Sequence, residues 1–290
     1  MNKFFICAVA ALLFSGAAWA DNPVLAGSKD RREFNDGWKF KRYGLQADGT
    51  RIEEPAQPET PTEAAGWRSV AIPHDFAIEG PFRMDLAGNT GRLPYKGIGR
   101  YSKNFFVAKD KAGKKIYVDY DGVMANAEVY VNGQRAGGWP YGYASFRTDI
   151  TPFVKFGAEN RIDVRTDTEH WDSRWYPGAG IYRNVWITES APLHVDYNGI
   201  NITATDFSSD MKRATVNVDV TLRNTAADRR KATVDVAVYE LDSLDRIGRR
   251  VYNLGARTVE MGGDTVTDLK ISKPISDFRL WNPGAPARYM

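Results

Sequence analysis

Cysteine and histidine are scarce in this sequence of 290 residues. It contains one cysteine, Cys7, and three histidines that lie far apart, His74, His170 and His194. A single cysteine excludes an intrachain disulfide, and zinc sites need several Cys or His ligands at close spacing. The sequence has no P-loop, nucleophile elbow, H-E-x-x-H or calcium loop, and its Gly-x-Gly runs lack the third glycine of a dinucleotide loop. We therefore expect no metal and no cofactor.

Neither sign of charge dominates the chain. Lysine and arginine number 39 and aspartate and glutamate number 36, which gives a net charge of +3. This balance gives no reason to expect a nucleic-acid partner. Hydrophobic residues make up 43% of the sequence, too many for an intrinsically disordered chain. The length predicts about two domains.

The only long apolar run lies at the N-terminus. It spans residues 4–14, follows Lys3, and precedes the small-x-small pattern Ala18-Trp19-Ala20. This order predicts a secretory signal peptide over residues 1–20, because the run is too short for a permanent membrane anchor. An uncleaved anchor is the alternative interpretation. Cleavage would leave an exported chain, periplasmic or secreted, with no membrane span and no cysteine.

Apolar and polar residues alternate along the chain instead of recurring at helical spacing. Ile116, Val118 and Tyr120 share one face of a predicted strand, and residues 216–222 and 234–238 alternate in the same way. Turn residues separate such runs at intervals of about 8–12 residues, which is typical of β-sandwiches. The sequence therefore predicts an all-β protein.

The amino-acid composition of the sequence changes after residue 192. Six of the seven tryptophans that follow residue 20 lie before residue 190, together with long connections rich in Gly and Pro. We therefore predict one domain over residues 21–192 and a second over residues 193–290. Loops at 46–66 and 81–99 are long for a compact domain, and such loops are often functional.

Residues 170–183 hold the densest group of side chains with binding chemistry. Two tryptophans, two tyrosines, an aspartate and two arginines lie in this segment. A sugar offers an apolar C–H face and a rim of hydroxyls, which suit an aromatic plane and charged hydrogen-bonding groups. The alternative is that Trp175, Tyr176 and Ile181 pack the sandwich while Pro and Gly only turn the chain.

Two further segments carry candidate residues. Residues 72–76 read I-P-H-D-F, which places His74 and Asp75 either at a groove or in a local hydrogen-bonded corner. Tyr141 and Tyr143 are either sugar platforms or core residues, and we favour the core.

In order along the chain, the motifs resemble the N-terminal part of a glycoside hydrolase family 2 enzyme, of the exported bacterial β-galactosidase type. The resemblance covers residues 34–190 and rests on the order of the motifs, since each one alone is weak. The motifs are G-W-K-F at 37–40, Trp67, P-H-D-F at 73–76, G-R-Y at 99–101, D-G-V at 121–123, V-N-G at 131–133, Y-G-Y at 141–143, D-I-T at 149–151 and R-W-Y-P-G-A-G-I-Y-R at 174–183.

The resemblance implies a specific architecture. The first domain would be a jelly-roll, galactose-binding-like β-sandwich, and the second an incomplete immunoglobulin-like β-sandwich that lacks its closing strands. In the family a TIM barrel follows and carries both catalytic glutamates of a retaining mechanism. We therefore expect no catalytic residue and no hydrolysis from these 290 residues alone. The implied partners are a carbohydrate, a β-galactoside, and the protein's own C-terminal catalytic barrel.

The resemblance also implies which residues contact substrate. A segment before the G-I-Y-R run lines the family's subsite for the terminal sugar, and the P-H-D-F motif matches a P-H-D-W motif except at its last residue. Many family members keep that motif for structure, which makes the second segment the weaker candidate. The candidate substrate-binding residues are Asp172, Arg174, Trp175, His74 and Asp75.

Two other functions stay open at this point. The aromatic-rich first domain suits a stand-alone carbohydrate-binding module, and two sandwiches could also brace a partner without binding sugar. The sequence leaves open whether the sugar is a β-galactoside, β-mannoside, β-glucuronide or glucosaminide. It also leaves the oligomeric state open, a homo-oligomer included.

Overall fold

The computed structural model describes residues 10–12, 30–56 and 59–290. Within these residues the regular structure is β-strand apart from short 3-10 turns, so the all-β prediction is confirmed. The described residues divide into two compact units, one over residues 30–190 and the other over residues 191–290 with residues 10–12. The predicted signal peptide lies outside the described residues except for residues 10–12. No described helix is long and apolar enough to cross a membrane.

The strands are numbered along the chain, and β1 (Ala10–Leu12) pairs within the second unit. The described strands of the first unit are β2 (Arg31–Glu33), β3 (Trp38–Leu45), β4 (Arg51–Ile52), β5 (Arg68–Val70), β6 (Ile98–Val107), β7 (Lys115–Tyr120), β8 (Ala127–Val131), β9 (Gln134–Trp139), β10 (Phe146–Asp149), β11 (Ala158–Asp167) and β12 (Val185–Ser190). The 3-10 turns are Glu63–Ala65, Gly88–Thr90, Lys109–Lys111 and Thr151–Phe153.

Two antiparallel sheets form the first unit. One has the strand order β10-β7-β12-β2, and the other has the order β4-β3-β6-β11-β8-β9, with β5 also paired to β3. Aromatic and β-branched side chains fill the core, among them Trp38, Tyr101 and Ile162. Asn132 and Gly133 connect β8 to β9 with positive φ at both positions, the backbone that a tight hairpin turn requires.

Two glutamates hold the long loop at 46–66. The Glu54 carboxylate accepts hydrogen bonds from Arg100 at 2.5 Å and from Arg165 at 3.0 Å. Glu59 accepts from Lys41 Nζ at 2.6 Å and from Trp67 Nε1 at 2.9 Å. Because Arg100 lies on β6 and Arg165 on β11, Glu54 ties the loop to two central strands of the larger sheet.

The second unit also consists of antiparallel strands. One sheet has the order β1-β15-β16, with β18 also paired to β15, and the other has the order β13-β14-β17. Alternate residues of β14 and β15 are buried and meet in one core, as the period-two pattern predicts. Its strands are β13 (Leu193–Thr205), β14 (Arg213–Asn224), β15 (Arg230–Leu241), β16 (Ile247–Met261), β17 (Thr265–Ser276) and β18 (Arg288–Tyr289).

Asp119 is a buried charge on β7. Its side chain is 4% exposed, although it lies on the strand face opposite Val118. Arg147 on β10 donates to both carboxylate oxygens, at 2.6 and 2.9 Å, and Thr188 on β12 donates at 2.8 Å. Neighbouring strands thus supply the partners that a buried carboxylate needs.

We predict that Asp119→Ala lowers the free energy of unfolding by about 3–5 kcal/mol, because Arg147 and Thr188 lose the buried carboxylate that accepts their hydrogen bonds. Glu53 forms an exposed pair with Arg51, so Glu53→Ala should change stability by less than about 1 kcal/mol. Urea unfolding followed by tryptophan fluorescence measures both variants. Equal losses in the two variants would contradict this account of Asp119.

Candidate functional site

A backbone contact joins the P-H-D-F motif to the segment before G-I-Y-R. The His74 amide donates to the Ile181 carbonyl at 2.8 Å, and the Phe76 amide donates to the Ala179 carbonyl at 3.0 Å. Between these two bonds, Gly180 exchanges hydrogen bonds of 2.8 and 2.9 Å with Met124. We call this pairing of residues 74–76 with residues 179–181 the junction. It places side by side two motifs that lie about 100 residues apart in the sequence.

Gly180 permits this close approach. Its φ is +110°, a conformation that residues with a Cβ rarely adopt. A Cβ at this position would overlap the Tyr101 hydroxyl oxygen and lie 2.8 Å from the His74 carbonyl oxygen. The junction therefore requires glycine here.

Asp75 closes the junction with both of its carboxylate oxygens. Oδ1 accepts from the amides of Ala77 and Ala179, each at 3.0 Å, and Oδ2 accepts from the Tyr176 hydroxyl at 2.6 Å. Burial, followed by the bond to Asp75, raises the pKa of Tyr176, so its hydroxyl stays a donor. Asp75 therefore positions residues 176–179, and its prediction as a substrate contact stays a prediction.

His74 sits in a hydrogen-bonded corner behind a groove. Its Nδ1 lies 2.8 Å from the Tyr101 hydroxyl, and its Nε2 lies 3.1 Å from Glu79 Oε1. Burial lowers the pKa of His74, with Glu79 opposing that shift. Arg68 bonds to Glu79, and these two residues line an open groove of about 470 Å³. The sequence left open whether His74 lies at a groove or in a hydrogen-bonded corner. In the structure His74 lies in such a corner, and its neighbours Arg68 and Glu79 line a groove.

Trp175 projects outward from the loop that the junction holds. Its side chain is 58% exposed, and its Nε1 donates to the Tyr143 hydroxyl at 2.7 Å. The rings of Tyr143 and Tyr141 meet edge to face with centroids 5.6 Å apart, and Tyr141 is 53% exposed. We call Tyr141, Tyr143 and Trp175 the aromatic cluster. We favoured Tyr141 as a core residue, and this interpretation is wrong because the side chain is exposed. The alternative in which Trp175 packs the sandwich is wrong for the same reason.

Tyr176 and Ile181 of the same segment pack into the sandwich, as the alternative interpretation of residues 170–183 predicts. Ile181 is fully buried in the core of the first unit, and Tyr176 packs against that core. The segment at 170–183 therefore has two faces. Its buried residues anchor it to the core, and the indole of Trp175 is exposed to solvent.

Charged groups lie on the same segment as Trp175. Asp172 is 88% exposed and accepts a hydrogen bond from Lys96 Nζ at 2.7 Å. This bond lowers the pKa of Asp172, which is therefore an ionised acceptor at neutral pH. Arg174 is exposed next to Trp175 in the chain. The segment thus presents an aromatic plane, an acceptor and one cation, and Lys96 adds a second cation from the loop at 81–99.

Lys96 and Tyr143 were not among the predicted site residues. Lys96 belongs to the loop at 81–99, which was expected to be functional because of its length. Tyr143 belongs to a motif whose tyrosines were assigned to the core. Only the folded chain brings Lys96 to Asp172 and Tyr143 to Trp175.

This arrangement suits a carbohydrate better than other ligand classes. A sugar can stack its C–H face on an exposed indole, and its hydroxyls can bond to an ionised carboxylate and a guanidinium. Among the described residues, no three His, Cys, Asp or Glu side chains group as metal ligands. The aromatic cluster with Asp172 and Arg174 is therefore our candidate sugar-contact site.

Comparison with known proteins agrees with this chemistry. Residues 66–191 match the family model described as "Glycosyl hydrolases family 2, sugar binding domain". The chain belongs to glycoside hydrolase family 2. The matched residues include the junction, Lys96 and the aromatic cluster.

Curated relatives from this family are much longer than the chain. Over 203 residues it is 40% identical to β-galactosidase BoGH2A of Bacteroides ovatus, which covers 69% of this chain and 22% of the relative. Over 262 residues it is 29% identical to a β-glucuronidase of Bacteroides fragilis, covering 86% of this chain and 32% of the relative. The chain thus spans between a fifth and a third of these two proteins.

Solved structures of family 2 proteins have the same fold. A family 2 member from Bacteroides cellulosilyticus superposes with a TM-score of 0.73 at 28% identity, over 90% of this chain and 32% of that chain. A β-glycosidase from Bacteroides vulgatus gives a TM-score of 0.67 at 28% identity, over 89% and 30%. The described β-sheets are therefore those of family 2 proteins.

We predict that Gly180→Ala destabilises the first unit by about 2–5 kcal/mol, because a Cβ combines a positive φ with overlap at the Tyr101 hydroxyl. Gly37 also has positive φ, +73°, but a Cβ there meets no atom within 4 Å. Gly37→Ala should therefore cost only about 1–2 kcal/mol, the backbone share of the loss. Urea denaturation compares the two variants. A loss no larger for Gly180→Ala than for Gly37→Ala would show that the close approach is unimportant.

We also predict a pH dependence that belongs to His74. Because folding lowers its pKa below 6.5, the unfolded chain takes up the proton first as the pH falls. Stability should be independent of this group above about pH 7 and should decrease as the pH falls through 6.5. His74→Gln should flatten that part of the curve, whereas substitution of the exposed His170 by Gln should not. Thermal melts between pH 8 and pH 5 measure all three proteins, and identical slopes would refute the assignment.

Proposed function

We propose that this chain is the N-terminal, non-catalytic portion of an exported glycosidase of family 2 that hydrolyses terminal β-D-galactosides. The 40% identity to a β-galactosidase over 203 residues is the observation that carries the proposal. The exposed Trp175, with charged groups on the same segment, supports a sugar as the ligand. The apolar run at residues 4–14 and the pattern at 18–20 support export.

In this proposal the chain binds and positions the substrate, and a following catalytic barrel carries out hydrolysis. A retaining glycosidase needs two carboxyl groups about 5 Å apart, held by rigid elements. Asp172 and Asp75 do not supply such a pair, because Asp172 is exposed beside Lys96 and Asp75 is occupied within the junction. The role of the chain is to present Trp175, Arg174 and Asp172 to a sugar.

A β-glucuronide is the second candidate substrate. Relatives of this chain include a β-glucuronidase. Arg174 lies on the segment that would meet the sugar, and Lys96 of the loop at 81–99 bonds to Asp172 of that segment. A glucuronide carries a carboxylate that pairs with an arginine in fork geometry. A stand-alone carbohydrate-binding module is the alternative without catalysis, in which this site binds sugar on its own.

Hydrolysis of nitrophenyl glycosides tests the proposal. The protein isolated from its source with an antibody against residues 21–290 should hydrolyse the β-D-galactoside, whereas the 290-residue chain should hydrolyse neither glycoside. Faster hydrolysis of the β-D-glucuronide than of the β-D-galactoside would show that a β-glucuronide is the substrate and contradict the proposed galactoside. A source protein that binds galactose in calorimetry and hydrolyses neither glycoside would favour the binding module.

Substitution of Trp175 tests the contact itself. In the source protein, Trp175→Ala should reduce kcat/KM for the galactoside about 10-fold, mainly through KM, because stacking on an indole is lost. Trp281 is an exposed tryptophan of the second unit, so Trp281→Ala is the matched control and should leave kcat/KM unchanged. Equal values of kcat/KM for the two variants would show that Trp175 does not contact the substrate.

A further inference from the structure

A second tryptophan, Trp139, lies next to the aromatic cluster along the chain. It is the last residue of β9, at the end of the larger sheet, and its side chain is 44% exposed. Only Pro140 separates it from Tyr141, and both of these residues are exposed too. Because two residues span at most about 7 Å, the backbones of Trp139 and Tyr141 are close neighbours. The exposed surface of the aromatic cluster therefore continues onto Pro140 and Trp139.

Hydrogen bonds hold this stretch on both sides of Tyr141. The Asn126 amide donates to the Pro140 carbonyl at 3.0 Å. The Tyr182 hydroxyl donates to the Gly142 carbonyl, also at 3.0 Å. The exposed rings are thus attached to a backbone that other elements of the first unit fix in place.

Gly142 also connects the stretch to the junction. A Cβ on Gly142 would overlap Met124 Sδ, so the chain packs against Met124 with no room for a side chain. Met124 in turn exchanges backbone hydrogen bonds with Gly180. One buried residue therefore contacts both the stretch at 139–143 and the junction beside Trp175. Rings that are held in this way lose little further freedom when a ligand binds, which favours affinity.

The stretch that carries these rings has no charge. Residues 136–146 contain no Asp, Glu, Lys or Arg. The charged groups of the candidate sugar-contact site, Asp172, Arg174 and Lys96, belong to the segment at 170–183 and the loop at 81–99. An uncharged aromatic surface suits the C–H face of a neutral sugar, whereas an acidic sugar would find no cation on this stretch.

We propose that Trp139 and Tyr141 bind further sugar units of the substrate, so that the site takes a neutral oligosaccharide and not only a single terminal sugar. The terminal unit stacks on Trp175, and the units linked to it extend over Tyr141 to Trp139. This inference rests on the proposed function, because it names the substrate class of the same site. Covalent linkage brings each further unit to the surface at a high effective concentration once the first one is bound.

Calorimetry on the 290-residue chain tests the proposal with two probes. One probe is β-1,4-galactotetraose, a chain of linked neutral sugars, and the other is methyl β-D-galactoside, a single unit. The tetrasaccharide should bind at least about 10-fold more tightly, because its linked units contact the aromatic cluster and Trp139 together. Binding is measured without hydrolysis, so the result does not depend on catalysis.

Substitution of Trp139 identifies the ring that makes the difference. Trp139→Ala should weaken binding of the tetrasaccharide about 10-fold and leave binding of methyl β-D-galactoside unchanged. Trp139→Phe should keep most of the affinity, whereas Trp139→Leu should not, because an aromatic ring is needed for stacking. Phe106 on β6 is another exposed ring of the first unit, so Phe106→Ala is the matched control and should bind both probes normally. Urea midpoints equal to that of the unsubstituted chain show that the variants are folded.

Three results would overturn the proposal. The first is equal affinity of the unsubstituted chain for the two probes, or no binding of the tetrasaccharide. The second is an equal loss of affinity in Trp139→Ala and Phe106→Ala. The third is tetrasaccharide binding that Trp139→Ala leaves unchanged, which would assign the exposed Trp139 to contact with a protein surface.

Failure of this inference is distinguishable from failure of the proposed function. A source protein that hydrolyses no galactoside, together with a chain that binds the tetrasaccharide through Trp139, would refute only the proposed function. A source protein that hydrolyses the galactoside, together with a chain that binds both probes equally, would refute only this inference.

Discussion

The junction between residues 74–76 and residues 179–181 is the constraint on which the candidate sugar-contact site depends. Its backbone bonds, the missing side chain of Gly180 and the carboxylate of Asp75 hold the chain on the C-terminal side of Trp175. An indole left in water contributes no burial free energy, so other contacts must hold the backbone beneath it. Buried Ile181 and half-buried Tyr176 provide those contacts, and Trp175 is left free to meet a ligand.

Buried and half-buried carboxylates hold segments of the first unit together. Glu54 and Glu59 tie down the loop at 46–66, Asp75 closes the junction, and Asp119 joins three strands. Each of them accepts hydrogen bonds from donors distant in sequence. Composition could not separate these structural acids from binding ones, because the distinction lies in which donors the fold brings to each oxygen.

The strands that the sequence predicted well are those with one buried face. In β14 and β15 the valines alternate with polar residues, and the structure buries those valines. The strand β16 was not predicted, although it is the longest in the described residues, because its pairing with β15 shifts register at three points. Each shift interrupts the period-two pattern, so no regular alternation remains to be recognised.

The sequence by itself determined the all-β class, the family and the segment at 170–183 as the place to look for a sugar contact. Ordered motifs and alternation carry that information because they depend on neighbours in the chain. Only the tertiary structure decided that Trp175 is exposed, that Tyr143 holds it, that Lys96 reaches Asp172, and that Asp75 is occupied internally. Exposure and hydrogen-bond partners depend on strands and loops far apart in sequence, and no local pattern records which of them become neighbours.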